Sequence, residues 1–363
     1  MVLIHFGKCS INSLLYLFYT IFAVLDIFLS SSKIHFKDEK ESQNKSLQLA
    51  FTFILLMFIS EFIFGIIGIL FLLCLNHCFK TEEEKSLNSD LKILTDDPMR
   101  NNIIKYVKLF LIYIFEIIST LSLILDKGNE LNNLNYILKL FLLIFTSIFT
   151  SCYLKYSIYK HHLLGLSILC LGFLLNDLMS VNEIFSKKWS LFFLFIIIQG
   201  PNALREILEK DLIEKNFYSI YKLLIIEGLI GIIFSLILMF ILNSFNSDYA
   251  FYLDFNVLLT ILLFVSCGLY NICRLKINQI YGPIHRCVGD TFVSFVLWMI
   301  DFLNNKEKLL KNYIDGLSFI ICIFGTLIFT EIIIVDVFNF NINTREQQVK
   351  RANQKIENRD FFL

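Results

Sequence analysis

The chain has 363 residues, 56% of them hydrophobic, and a mean hydropathy of +0.66; so much apolar surface excludes an ordinary soluble domain, which would aggregate. Lysine plus arginine and aspartate plus glutamate each number 32, so charge gives no basis for nucleic acid as a partner. Most of the nine cysteines lie inside apolar runs and none forms a C-x-x-C pair, so no disulfide framework is implied, and Cys74 and Cys78 share a helix face beside His77 without the further ligands a metal site needs.

The apolar residues come in continuous blocks rather than alternating strands. This predicts an all-α membrane protein and not a barrel. Spans are expected near 11–30, 49–76, 104–125, 134–156 and 162–181, then near 189–208, 221–243, 254–273, 287–303 and 314–338. The first is followed by Lys33, Lys37, Asp38 and Glu39 rather than a small-residue cleavage site, so it reads as a span and not as a removed signal. The longest polar connection, 78–102, carries the acidic run Glu82, Glu83, Glu84 and Pro98. Pro201 and Pro283 are expected where the chain enters or leaves a span, because proline lacks a backbone donor. With ten spans both termini share one side. Loops and span ends on that side, with both termini, hold about 21 Lys and Arg and those on the opposite side about 10, which places the termini in the cytosol or matrix.

One internal echo stands out. HHLLGLSILCLG runs from His161 to Gly172, and NYIDGLSFIICIFG from Asn312 to Gly325. Each opens a span, the fifth and the tenth. Five spans followed by five more force the second set to lie upside down relative to the first, an arrangement transporters use for alternating access. Residues 1–182 then form one half, 183–340 the other, and 341–363 a polar C-terminal tail. Gly165, Gly172, Gly316 and Gly325 would allow close helix contact. The echo is equally compatible with two unrelated helices carrying ordinary packing glycines.

Longer stretches carry a resemblance. LKLFLLIFTSIFTSCYLKYSIYKHHLLGLSILCLGFLL, Leu138 to Leu175, resembles the fourth and fifth spans of the drug/metabolite transporter superfamily, and looks closest to solute carrier family 35 F-type proteins and their chloroquine-resistance-transporter-like relatives. ILEKDLIEKNFYSIYKLLIIEGLIG, Ile207 to Gly231, is similar to that family's acidic-basic exit from the sixth span and the Glu-Gly-Leu-x-Gly that follows. LYNICRLKINQIYGPIHRCVGDTFVSFVLWMID, Leu269 to Asp301, resembles its eighth and ninth spans, with Asn271, Arg286 and Asp290 at polar positions. MFISEFIFG and FEIISTLSLIL resemble the second and third, with Glu61 and Glu116 at acidic positions. The resemblance implies ten helices in two inverted five-helix halves around a central cavity, and transport of small organic solutes. The chain departs from the family where small polar cavity residues are replaced by Phe, Ile or Tyr, and in a loop after the eighth span that carries Arg274, Lys276 and Gln279.

Charges inside the spans are the candidates for binding solute or a coupling ion, since each costs about 2.5–3.5 kcal/mol at the bilayer centre on insertion scales. They are Asp26, Glu61, Glu116, Lys139, Glu227, Arg286 and Asp290, with Thr120 on the helix face of Glu116 and Asn271 on the eighth span. Bland readings stand beside these. Asp26 is suited to the interface, Lys139 to snorkelling, Glu227 to a structural pair, and Arg286 with Asp290 to a self-contained i, i+4 surface bridge. Glu331 and Asp336 are expected to reach the interface, and His161 and His162 to form an interfacial pair in a tight connection.

No catalytic or phosphate-binding motif is present, so no enzyme activity and no cofactor is expected. Two functions remain. One is a secondary transporter of a small organic solute across an internal organelle membrane, mitochondrial inner membrane or endomembrane. The other is a non-transporting accessory subunit of a large membrane complex, such as a mitochondrial respiratory assembly, that reuses the transporter fold. In that case the charged tail ending Phe361-Phe362-Leu363 is suited to dock on partner subunits.

Overall fold

The computed structural model describes residues 15–25, 39–78, 99–127, 135–156, 158–185, 189–215, 218–245, 257–304, 309–333 and 351. Among these residues the chain is helical throughout, with no strand. The helices are α1 (Leu15–Leu25), α2 (Glu39–Cys78), α3 (Met99–Lys127), α4 (Asn135–Phe149), α5 (Lys160–Phe185), α6 (Trp189–Lys215), α7 (Ile220–Phe245), α8 (Val257–Ile280), α9 (Pro283–Asn304) and α10 (Leu309–Phe329). Each covers much of one expected span. Asp26, Pro98, the acidic run 82–84, Asp336 and nearly all of the tail 341–363 lie outside the described residues.

Local chemistry sets the helix ends. α4 widens into a single π turn over Thr150–Leu154 and stops at Lys155, whose backbone is left-handed with φ 59°. α8 passes into α9 through Gly282, where φ of 104° calls for glycine, and Pro283 starts α9 at the position where a missing N–H costs nothing. Pro201 behaves otherwise than expected. It lies inside α6, which continues to Lys215 instead of ending near residue 208. The last helix, in contrast, ends at Phe329, short of the expected boundary, and turns at Glu331 with φ 60°.

Among the described residues three helical segments are long and apolar enough to cross a membrane: Ile54–Cys74, Ile220–Ile241 and Thr260–Ile280. Shorter apolar stretches occupy Leu15–Leu25, Leu138–Leu154, Lys160–Asn176 and Tyr313–Phe329. Their outer faces suit lipid. On α7, Ile233, Leu236, Ile237 and Phe240 are exposed at helical spacing, as are Leu258, Ile261, Leu262 and Val265 on α8. Water would not tolerate such stripes.

With apolar side chains equally at home in lipid, close backbone approach holds the helices together. α2 lies against α7 and α5 against α10. A methyl group on Gly228 would sit 2.5 Å from the backbone nitrogen of Phe62, and one on Gly65 would sit 2.9 Å from the carbonyl oxygen of Tyr221. In the second pair, Gly165 faces the backbone of Phe329 at 2.7 Å and Gly325 that of Leu169 at 2.8 Å, measured the same way, while Gly172 faces the Cys322 sulfur at 2.5 Å. Asn176 extends this contact by donating to Ser318 Oγ at 2.8 Å. Gly316 does not join it. Its nearest neighbour is the Trp298 ring of α9, 3.1 Å from where a Cβ would lie.

Replacing Gly228 with alanine forces two backbones apart and is expected to cost about 1–3 kcal/mol, the usual range for overpacking. Gly200→Ala, where no atom beyond the local helix lies within 4 Å of the added carbon, meets only the strain that Pro201 places on a helical residue before it and is expected to cost less than Gly228→Ala. Thermal challenge of the detergent-solubilised chain, followed by size-exclusion chromatography, compares the two.

Candidate functional site

α6 builds the site. Residues 205–213 are nine in succession and all buried, so this stretch has no face toward lipid or water. It nevertheless reads Arg-Glu-Ile-Leu-Glu-Lys-Asp-Leu-Ile. Its leucines and isoleucines, Ile207, Leu208, Leu212 and Ile213, are buried, and several of them pack with Leu109 and Ile112 of α3, Leu223 and Leu224 of α7 and Leu275 of α8. Its charges must then find partners inside the protein.

They do so through three arginines. Arg205 pairs with Glu116 of α3, and reaches its own helix neighbours Glu206 at 3.3 Å and Glu209 at 3.4 Å. Arg274 of α8 lies 3.0 Å from Glu209, 3.5 Å from Glu206 and 3.4 Å from Glu227 of α7. Arg286 of α9 pairs with Glu206. Asn278 Nδ2 donates to the Glu206 carbonyl at 2.9 Å and toward Glu209 Oε2 at 3.4 Å. Glu206 therefore faces guanidinium groups from three helices. Glu61 of α2 is 2% exposed and lies in the field of Glu116, Arg274, Arg205 and Glu209.

Two smaller clusters flank this centre. On one side Tyr19 of α1 donates its hydroxyl to Asp290 of α9, Lys139 of α4 donates to Ser294, and Ser294 donates to the Asp290 carbonyl at 2.9 Å. Tyr19 is fully buried and stacks on Tyr270 with ring centres 5.3 Å apart. At the C-terminal end of α6, Asp211 pairs with Lys108 of α3 and with Lys215 at 2.6 Å. Tyr156 donates to Glu214, and Lys210 donates to the Gln279 carbonyl at 2.6 Å. Burial pushes the Asp211 carboxyl up, but hydrogen bonds from Lys108 and Lys215 outweigh it and hold the group below the usual aspartate range.

Of the residues expected from sequence, Glu61, Glu116 and Glu227 come together at the arginine cluster, and Arg286 joins them. Arg286 does not form a self-contained surface bridge along α9. It is buried and turns to Glu206, while Asp290 accepts from Tyr19. Lys139 points to Ser294 rather than snorkelling out. Asn271 is buried on α8 one turn before Arg274. The side chain of Thr120 lies outside the described residues. His161 is fully buried in the first turn of α5, and His162 meets Glu331 at 3.3 Å.

Arg205, Glu206, Glu209, Arg274 and Asn278 went unread because hydropathy takes clustered charge as the end of a span. Arg274 in particular belongs inside α8, not to a loop after it. A usable signal existed: LREILEKDLIEK is made of strong helix formers with apolar residues at helical spacing. No protein-family model matches the chain, and no curated protein matches it.

Arg274→Ala strands Glu209 and Glu227 without their shared partner and is expected to cost about 3–5 kcal/mol. Combining it with Glu227→Gln should recover part of that loss, a coupling that a double-mutant cycle on melting temperature reads out. For Asp211 the depressed native carboxyl pKa gives stability that is present above the ordinary aspartate range and lost as pH falls through the native value. Asp211→Asn should therefore melt below wild type at neutral pH, with the gap closing in strong acid.

Proposed function

We propose that the chain is a secondary transporter of a small organic solute, working by alternating access across an organellar membrane, with a fold of the drug/metabolite transporter type. In this reading all ten helices cross the bilayer as two inverted five-helix halves. The helix partnerships support it. α2 lies on α7 and α5 on α10, pairs five helices apart. α3 and α4 lie on α6, while α1 packs against α8 and α9, as an exchange of the two halves requires. The echo at Gly165 and Gly316 marks the two N-terminal ends of the α5–α10 pair.

One observation carries the functional reading. A buried set of charges is assembled from α2 and α3 of the first half and from α6, α7, α8 and α9 of the second. Charge at membrane depth is expensive, and it persists mainly where a pathway or a moving interface uses it. An ion-pair set shared between halves can exchange partners as the halves rock, which is what alternating access needs.

A second reading has its own support. The centre is filled by the protein's own ion pairs, as a closed accessory subunit of a membrane complex would have it. Reconstitution separates the two. Proteoliposomes carrying the full chain, loaded in turn with amines, amino acids, nucleotides and nucleotide sugars, are expected to show saturable counterflow for one class, and Arg205→Ala should lower it at least tenfold. Absence of counterflow for every class, together with stoichiometric companions on mild native purification, would favour the accessory subunit.

A further inference from the structure

The charges at the centre do not balance. Among the described residues five glutamates meet there: Glu61, Glu116, Glu206, Glu209 and Glu227. Three guanidinium groups answer them, and each is engaged by a glutamate other than Glu61. Arg205 is held by Glu116, Glu206 and Glu209, Arg274 by Glu206, Glu209 and Glu227, and Arg286 by Glu206. The adjoining Asp290 and Lys139 add one charge of each sign and leave the difference unchanged.

Glu61 is the carboxylate left over. It is 2% exposed, and its Oε2 has no hydrogen-bond partner. The groups that face it are Glu116 from α3, Arg205 and Glu209 from α6, Glu227 from α7 and Arg274 from α8. On α2 itself its neighbour Ser60 donates to the Phe264 carbonyl at 2.5 Å and is not available to it. An ionised carboxylate with a free oxygen in such a place carries a desolvation cost of several kcal/mol, which protonation removes.

We propose that Glu61 is a proton-binding site: its carboxyl is neutral while Arg205 and Arg274 are held by the other glutamates, and it releases the proton when one of these arginines turns to it. The O–H bond forms with a proton from water on one side of the membrane and breaks to water on the other, with no electron transfer. Its use as the coupling step of transport rests on the transporter reading above; its existence as a proton site does not.

The test uses the full chain in lipid nanodiscs and needs no solute. Infrared difference spectra between neutral and alkaline pH are expected to show a protonated-carboxyl carbonyl band that disappears at alkaline pH. Glu61→Gln, which has the shape of the neutral acid and should fold, is expected to lose that band. Glu61→Asp should restore it at a shifted frequency. A wild type without the band, or a Glu61→Gln variant that retains it, overturns the proposal. Proteoliposomes then separate the two levels. Wild-type uptake driven by a pH gradient, lost in Glu61→Gln and recovered in Glu61→Asp with a shifted pH profile, supports coupling. The carboxyl band without any counterflow supports the proton site and counts against transport, whereas counterflow without the band overturns the proton site and leaves transport standing.

Discussion

The structure depends on one constraint: a charged helix with no surface to point at. Residues 205–213 of α6 are buried on every side, so Arg205, Glu206 and Glu209 must be satisfied within the protein. Arg274 and Arg286 are drawn in from α8 and α9, and Glu116 and Glu227 from α3 and α7. Pairs of this kind contribute little net stability when whole, because desolvation offsets their attraction, but losing one partner is costly. They fix which helices are neighbours more than how tightly those helices hold.

Tightness comes from elsewhere. The α2–α7 and α5–α10 contacts rest on backbone approach at Gly228, Gly65, Gly165 and Gly325, which is how helices associate when lipid competes for every apolar side chain. The molecule thus divides its labour. Glycine contacts run along two helix pairs, and the ion-pair centre is built from α2, α3, α6, α7, α8 and α9. In the proposed transport cycle the ion pairs trade partners among several acceptors. Glu206, approached by arginines from three helices, is where such a trade changes the most contacts at once.

The candidate residues were legible in the sequence where charge interrupts an apolar run. Glu61, Glu116 and Glu227 stand alone in apolar surroundings, so each announces itself, and the structure brings them to one place. The residues that organise them were hidden. Arg205 and Glu206 close the expected sixth span and Glu209 falls just past it, in a run of charge read as the span's exit, and Arg274 falls where a span was expected to have ended. Taking Arg205 from a span end, and Arg274 and Arg286 from a loop, into the interior lowers the positive count on the terminal side without reversing the asymmetry.

By itself the sequence determined the helical class and the rough position of each helix, because hydrophobic block length and the helix-forming character of its residues are local properties. It also fixed the turn at Gly282 and Pro283, whose backbone requirements are set by single residues. Only the tertiary structure decided that Arg286 turns to Glu206 instead of along its own helix, and that Gly316 meets Trp298 while Gly325 takes the close contact with α5. The reason is physical: whether a charge faces water or another charge depends on what surrounds the helix, and no stretch of chain carries that information about its own neighbours.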